Sequence, residues 1–94
     1  MYGTFRYYQG NSELADALTE NADEVKKVLS AIEGFKAYYL ILTGDGSTLS
    51  FTVFETEAGA DESNRVAAEW LRENAPEVSV NPPNISAGPV LISG

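Results

Sequence analysis

Residues Ala37-Tyr38-Tyr39-Leu40-Ile41-Leu42 are apolar on both faces of any strand they form. Side chains alternate sides along a strand, so one face carries Ala37, Tyr39 and Ile41 and the other Tyr38, Leu40 and Leu42. Neither set is polar. The run lies within a hairpin from Lys36 to Glu55, around a Gly44-Asp45-Gly46-Ser47 turn. In its second arm, Thr48 to Glu55, Leu49, Phe51 and Val53 share one face and Ser50, Thr52 and Phe54 the other. A first arm with two apolar faces needs cover above and below. A chain of 94 residues has helix enough for one side, so the other side asks for a partner.

The rest of the chain supplies the surrounding elements. Tyr2 to Tyr8 is rich in aromatic and β-branched residues and ends at Gln9-Gly10-Asn11-Ser12, which predicts a strand and a turn. A helix follows, capped by Asn11 or Ser12, with one apolar stripe at Leu14, Leu18, Ala22, Val25, Val28, Leu29 and Ile32. Gly34 is its expected left-handed stop, with Phe35 packing back on the last turn. Thr56 opens a second helix that runs to about Ala75 before Pro76, with Gly59 weakening its first turn. A loop from Pro76 to Asn84 carries Pro82-Pro83, and a last strand spans Ile85 to Ser93. Pro89 cannot donate to a ladder, so this strand belongs at an edge or pairs only after Pro89.

The order is strand, helix, strand, strand, helix, strand. Right-handed crossover rules then favour an α+β, ferredoxin-like βαββαβ fold, a single domain over residues 1–94 with both helices on one face of a four-stranded antiparallel sheet. The bare opposite face is best covered by the same face of a second copy.

Fourteen acidic residues against six basic ones give a formal charge of −8, which repels phosphate backbones. The cations are scattered, so neither nucleic acid nor a membrane surface is an expected partner. Cysteine and histidine are absent, which removes thiol nucleophiles, thiolate zinc sites, imidazole ligands and the usual catalytic triads. No cofactor is expected. The start lacks a secretory pattern and no apolar run approaches membrane-spanning length, so a cytoplasmic location is the expectation. Asn84-Ile85-Ser86 matches a glycosylation sequon by chance.

On the second helix, Ala60, Ala67 and Leu71 form the inner line with Val66 and Trp70 on one flank, and Ser63, Asn64 and Asn74 on or beside it. An indole for stacking and an amide to orient an oxygen suit a flat ligand between helix and sheet. The plainer alternative has Trp70 filling the core while Asn64 bonds to nearby backbone. Five tyrosines, Tyr2, Tyr7, Tyr8, Tyr38 and Tyr39, lie on the first two strands, and their hydroxyls need partners wherever they are buried. Arg6 shares a face with Tyr2 and Tyr8, and either pairs with an acid across a dimer, the favoured reading, or binds an anionic ligand. Asp45 and the cluster Glu55, Glu57, Asp61 and Glu62 lack the spacing of a calcium loop.

Three stretches resemble the antibiotic biosynthesis monooxygenase-like group of the dimeric α+β barrel superfamily. They are Ile32-Glu33-Gly34-Phe35-Lys36-Ala37-Tyr38-Tyr39, Val53-Phe54-Glu55-Thr56, and Trp70 within the second helix. The resemblance covers essentially the whole chain. It implies side-by-side homodimers with a pocket in each subunit, and in some members the use of oxygen on polyphenolic substrates without metal or flavin. It also implies Asn64 and Trp70 as catalytic candidates, with Tyr38 and Tyr39 as ligand contacts, to which Ser63 is added from its place on the helix. Haem-degrading relatives need a histidine ligand that this chain lacks. Asn64 and Trp70 also stand six residues apart, on different parts of the helix face. The expected function is a cofactor-independent oxygenase or related enzyme acting on a flat aromatic substrate, and the alternative is a non-catalytic dimeric module binding a small molecule or a protein.

Overall fold

A computed structural model describes residues 1–10, 12–76 and 83–93, with Ser12 described by its backbone. Seven elements follow in order: β1 (Tyr2–Tyr8), α1 (Ser12–Glu20), α2 (Ala22–Ser30), β2 (Phe35–Leu42), β3 (Thr48–Phe54), α3 (Glu57–Asn74) and β4 (Asn84–Pro89). The strands form one antiparallel sheet in the order β2-β3-β1-β4. α3 packs on β1 and β3, while α1 and α2 pack toward β2, so one face is covered. This is the expected α+β ferredoxin-like arrangement.

The hairpin forms as expected. Gly46 adopts φ +83° in the turn, and the Asp45 carboxylate accepts from Thr43 Oγ1 at 2.5 Å and from the Ser47 amide at 3.0 Å. Register places Tyr38 opposite Thr52, Tyr39 opposite Phe51 and Leu40 opposite Ser50. β1 continues these rows, with Thr4 opposite Thr52, Phe5 opposite Phe51 and Arg6 opposite Ser50.

Three expectations change. The first helix is two helices, because Asn21 leaves helical geometry at φ −111°, ψ 27°. Thr19 Oγ1 and Asn21 Nδ2 donate back to the carbonyls of Ala15 and Ala17, at 2.7 and 2.8 Å, a local alternative to the helical ladder. The apolar stripe runs on through the break, with Leu14, Leu18, Val25 and Leu29 all buried in one cluster with Tyr8 and Trp70. α2 then stops at Ser30, so the positive φ of Gly34, +83°, serves the turn into β2 and not the helix end itself. Phe35 packs against the core and meets Phe54 edge-on, at 5.8 Å between ring centres. The last strand ends at Pro89, not Ser93, since β1 begins opposite it: Tyr2 pairs with Pro89, and Met1 O takes the Val90 amide at 2.9 Å. β4 is an edge strand, as its proline requires.

Thr56 caps α3, its Oγ1 accepting from the Gly59 amide at 3.3 Å. Gly59 is more than a weak helix former. A Cβ there would stand 2.9 Å from Phe54 Cδ1 and 3.1 Å from Glu33 O, so glycine is what lets α3 lie this close to the sheet. The cap expected at Asn11 or Ser12 and most of the Pro76 to Asn84 loop lie outside the described residues. Among the described residues no helix is long and apolar enough to cross a membrane.

Candidate functional site

The centre of the covered face is polar. Thr4, Arg6, Ser50 and Thr52 are all buried there, on the two middle strands beneath α3. Arg6 is 2% exposed. Its Nη1 donates to Asn64 Oδ1 at 2.8 Å and to Ser63 Oγ at 3.4 Å, and its Nη2 donates to Thr52 Oγ1 at 3.1 Å. Asn64 also meets Thr4, with Nδ2 to Oγ1 at 3.3 Å, and Ser63 donates to the Ala60 carbonyl at 2.6 Å. Every one of these partners is neutral. Among the described residues no carboxylate meets the guanidinium. Buried arginine is ordinarily paired with an anion, because a desolvated charge is costly otherwise.

Next to this cluster lies a cavity of about 20 Å³ between sheet and helices, room for about one water-sized sphere. Its polar lining comes from Arg6, Tyr8, Tyr38, Ser50 and Trp70, and the rest is apolar side chains of α1, α2 and α3. Burial pushes the Tyr8 phenol above the ordinary range, and the nearby Arg6 charge partly offsets that. Burial likewise raises Tyr38, again with Arg6 opposing. Burial lowers Arg6 itself, while Tyr8 and Tyr38 act to raise it. Ser50, 3% exposed, is the one buried side-chain hydroxyl without a hydrogen-bond partner among the described residues. Leaving such a group unmet costs roughly 1–3 kcal/mol.

The residues singled out from the sequence are thus divided. Trp70 and Tyr38 line the cavity, with Trp70 Nε1 donating to Glu24 Oε1 at 3.3 Å across to α2. Asn64 and Ser63 stand behind Arg6, touching its guanidinium and not the cavity wall. Asn64 and Trp70 therefore do not meet directly, and Arg6 is the group between them. Tyr39, expected as a ligand contact beside Tyr38, is 60% exposed on the opposite face of the sheet. The ion pair expected for Arg6 across a dimer is overturned, since Arg6 faces the helices. Of the polar cavity residues, Arg6 reads from the sequence as an anion binder only in second place, and Tyr8 and Ser50 do not read as site residues. Their signal was in the alternation, which puts Arg6 and Tyr8 on one face of β1 and Ser50 among the polar residues of β3.

A larger depression, about 560 Å³, opens between the α2–β2 turn and the start of α3. Two of its carboxylates are matched, Glu55 by Lys36 at 2.9 Å and Glu62 by Arg65, while Glu33 also lines it.

On the uncovered face, Phe5 and Phe51 stack at 4.6 Å between ring centres. Phe5, Tyr39 and Ile41 are 43%, 60% and 47% exposed. This is the bare apolar face that the sequence anticipates.

Comparison with solved structures gives the same architecture. NE2512 from Nitrosomonas europaea, described as a protein of unknown function, superposes with a TM-score of 0.74 at 23% identity, over 99% of this chain and 91% of that one. The monooxygenase from the gene ActVA-Orf6 of Streptomyces coelicolor, solved with the ligand nanaomycin D, gives 0.67 at 16% identity over 98% and 92%. SnoaB, a cofactor-independent oxygenase from Streptomyces nogalater, gives 0.64 at 11% identity over 98% and 93%. No protein-family profile matches the chain, and no curated protein matches it in sequence. The fold is therefore that of antibiotic biosynthesis monooxygenase-like proteins, as the resemblance implied, and at these identities it is the fold alone that is shared.

Proposed function

We propose that this chain binds a flat aromatic molecule between sheet and helices and acts on it as a cofactor-independent oxygenase. One observation carries the reading: the Trp70 indole and the Tyr38 phenol share a cavity with a buried arginine that no carboxylate among the described residues neutralises. Aromatic walls suit a flat ring, and a fixed cation steadies negative charge that develops on a ring oxygen as the substrate is ionised. In the reaction a ring methylene of an anthrone-type substrate and O2 give a ring carbonyl and water. The substrate supplies all four electrons, and Asn64 acts by holding Arg6 in place. The cavity holds about one water in this conformation, so a ring enters by outward movement of α1 and α2 about the break at Asn21.

The structural neighbours support the reading through one relative described as a cofactor-independent oxygenase and another solved with a bound small ligand. The apolar uncovered face supports assembly of two copies through it, as a dimeric α+β barrel. The small cavity favours a second reading, a dimeric module that binds without turnover.

Trp70 is the only tryptophan, so its fluorescence reports on this cavity. Anthrone should quench it and drive oxygen uptake. Quenching without oxygen uptake would select the binding module, and the absence of both would end the oxygenase reading.

A further inference from the structure

Two buried groups beside the cavity lack the partner their chemistry requires, and they face each other across the β1–β3 ladder. Arg6 and Ser50 are direct cross-strand partners. The guanidinium has neutral acceptors only, from Asn64, Ser63 and Thr52. The two phenols nearest it, Tyr8 and Tyr38, are held in their neutral form by burial and so do not serve as its counter-ion. Ser50 has a hydroxyl with no partner among the described residues, and it lines the same cavity. A positive charge and an idle donor on the wall of a space that an indole also lines specify an occupant with a negative oxygen on one edge and an apolar body.

We infer that the ligand of this cavity is an aromatic anion whose carboxylate or ionised phenol oxygen is seated between the Arg6 guanidinium and the Ser50 hydroxyl. The inference rests on the proposed small-molecule site and narrows its substrate class. The anion neutralises Arg6, accepts from Ser50 and leaves the ring toward Trp70 and Tyr38. Neutral polyaromatic molecules of the same shape, the keto form of anthrone among them, bind more weakly than their anions, because they leave both groups as they stand.

The experiment titrates the full-length chain with 2-naphthoate, 2-naphthamide, 2-naphthol and cyclohexanecarboxylate, following Trp70 fluorescence and the thermal midpoint. 2-Naphthoate should bind at least tenfold tighter than its neutral amide. 2-Naphthol should gain affinity as pH rises and its phenol ionises, which separates the phenolate source from the carboxylate source. Arg6→Gln should abolish the preference for acid over amide. Ser50→Ala loses no native bond, so it should keep or raise the thermal midpoint of the free protein while weakening 2-naphthoate several-fold. Should the amide bind as tightly as the acid, the anion inference falls and the flat aromatic site survives. If cyclohexanecarboxylate equals 2-naphthoate, the anion site stands and the flat aromatic reading falls. No binding by any of the four overturns both.

Discussion

The two faces of this sheet are built the wrong way round for a protein that lives alone. Under the helices the middle rows read Thr4, Thr52, Tyr38 and Arg6, Ser50, Leu40, while the uncovered rows read Phe5, Phe51, Tyr39 and Tyr7, Leu49, Ile41. Burial normally selects apolar residues and exposure polar ones. Here the covered face holds an unpaired cation, and the bare face holds stacked aromatic rings. The inversion separates two tasks. Polar groups under a roof mark a place kept for a guest, and apolar groups without a roof mark a place kept for a neighbour.

The largest expected effect is on the covered face. Phe54 is fully buried against Phe35 and beneath Gly59. Phe54→Ala should therefore lower unfolding free energy by about 3–5 kcal/mol in urea titration. If it costs no more than an open-face truncation, the distinction between the faces fails. Next is Phe51→Glu, which sets a charge in the middle of the bare face. It should shift the sedimentation mass from two subunits to one, with dimer affinity down roughly 100-fold, equivalent to about 3 kcal/mol. A wild-type mass of one subunit at micromolar concentration would refute the pairing outright. Arg6→Met should change the stability of the ligand-free protein by less than about 2 kcal/mol in either direction, because removal of an uncompensated buried charge is offset by loss of its hydrogen bonds to Asn64, Ser63 and Thr52. A loss above that size would show that Arg6 serves the fold.

The smallest effect concerns pH. Tyr8 and Tyr38 have raised values caused first by burial, so the fold favours their neutral form. Whatever stability they confer is whole below the ordinary phenol range and drains away as pH climbs through their raised values. Tyr38→Phe should remove one late step from the alkaline absorbance titration and soften the alkaline loss of stability. Loss of an early step in place of a late one would show that Tyr38 is exposed.

Much of this architecture is legible from alternation and periodicity, because both follow from backbone geometry. The hairpin, the start of α3 at Thr56 and the edge position of the Pro89 strand are of that kind. The break at Asn21 is hidden because the apolar stripe continues across it, so periodicity registers one helix where side-chain bonds to carbonyls make two. Gly59 reads as a helix defect because its reason, the Phe54 ring 2.9 Å from an absent Cβ, is a contact between distant elements. The site is less legible for a physical reason. Alternation puts Tyr38 and Tyr39 on opposite sides without saying which side is roofed. The habit of turning charges outward then sends Arg6 to the partner when it belongs inside. Asn64 is prominent in the sequence, yet it acts on the arginine and not on the cavity.

Among the described residues β2 lies at the edge of the sheet, with one row of backbone donors and acceptors not paired by another strand. Its six residues from Ala37 to Leu42 carry no charge and no proline, which is the composition of a segment able to stack upon copies of itself into fibrils. Lys36 at one end is the only gatekeeper within the strand. The strand that most constrains the fold is thus also the point at which a freshly made, not yet assembled subunit is most exposed to misassociation, and chaperone demand should concentrate there.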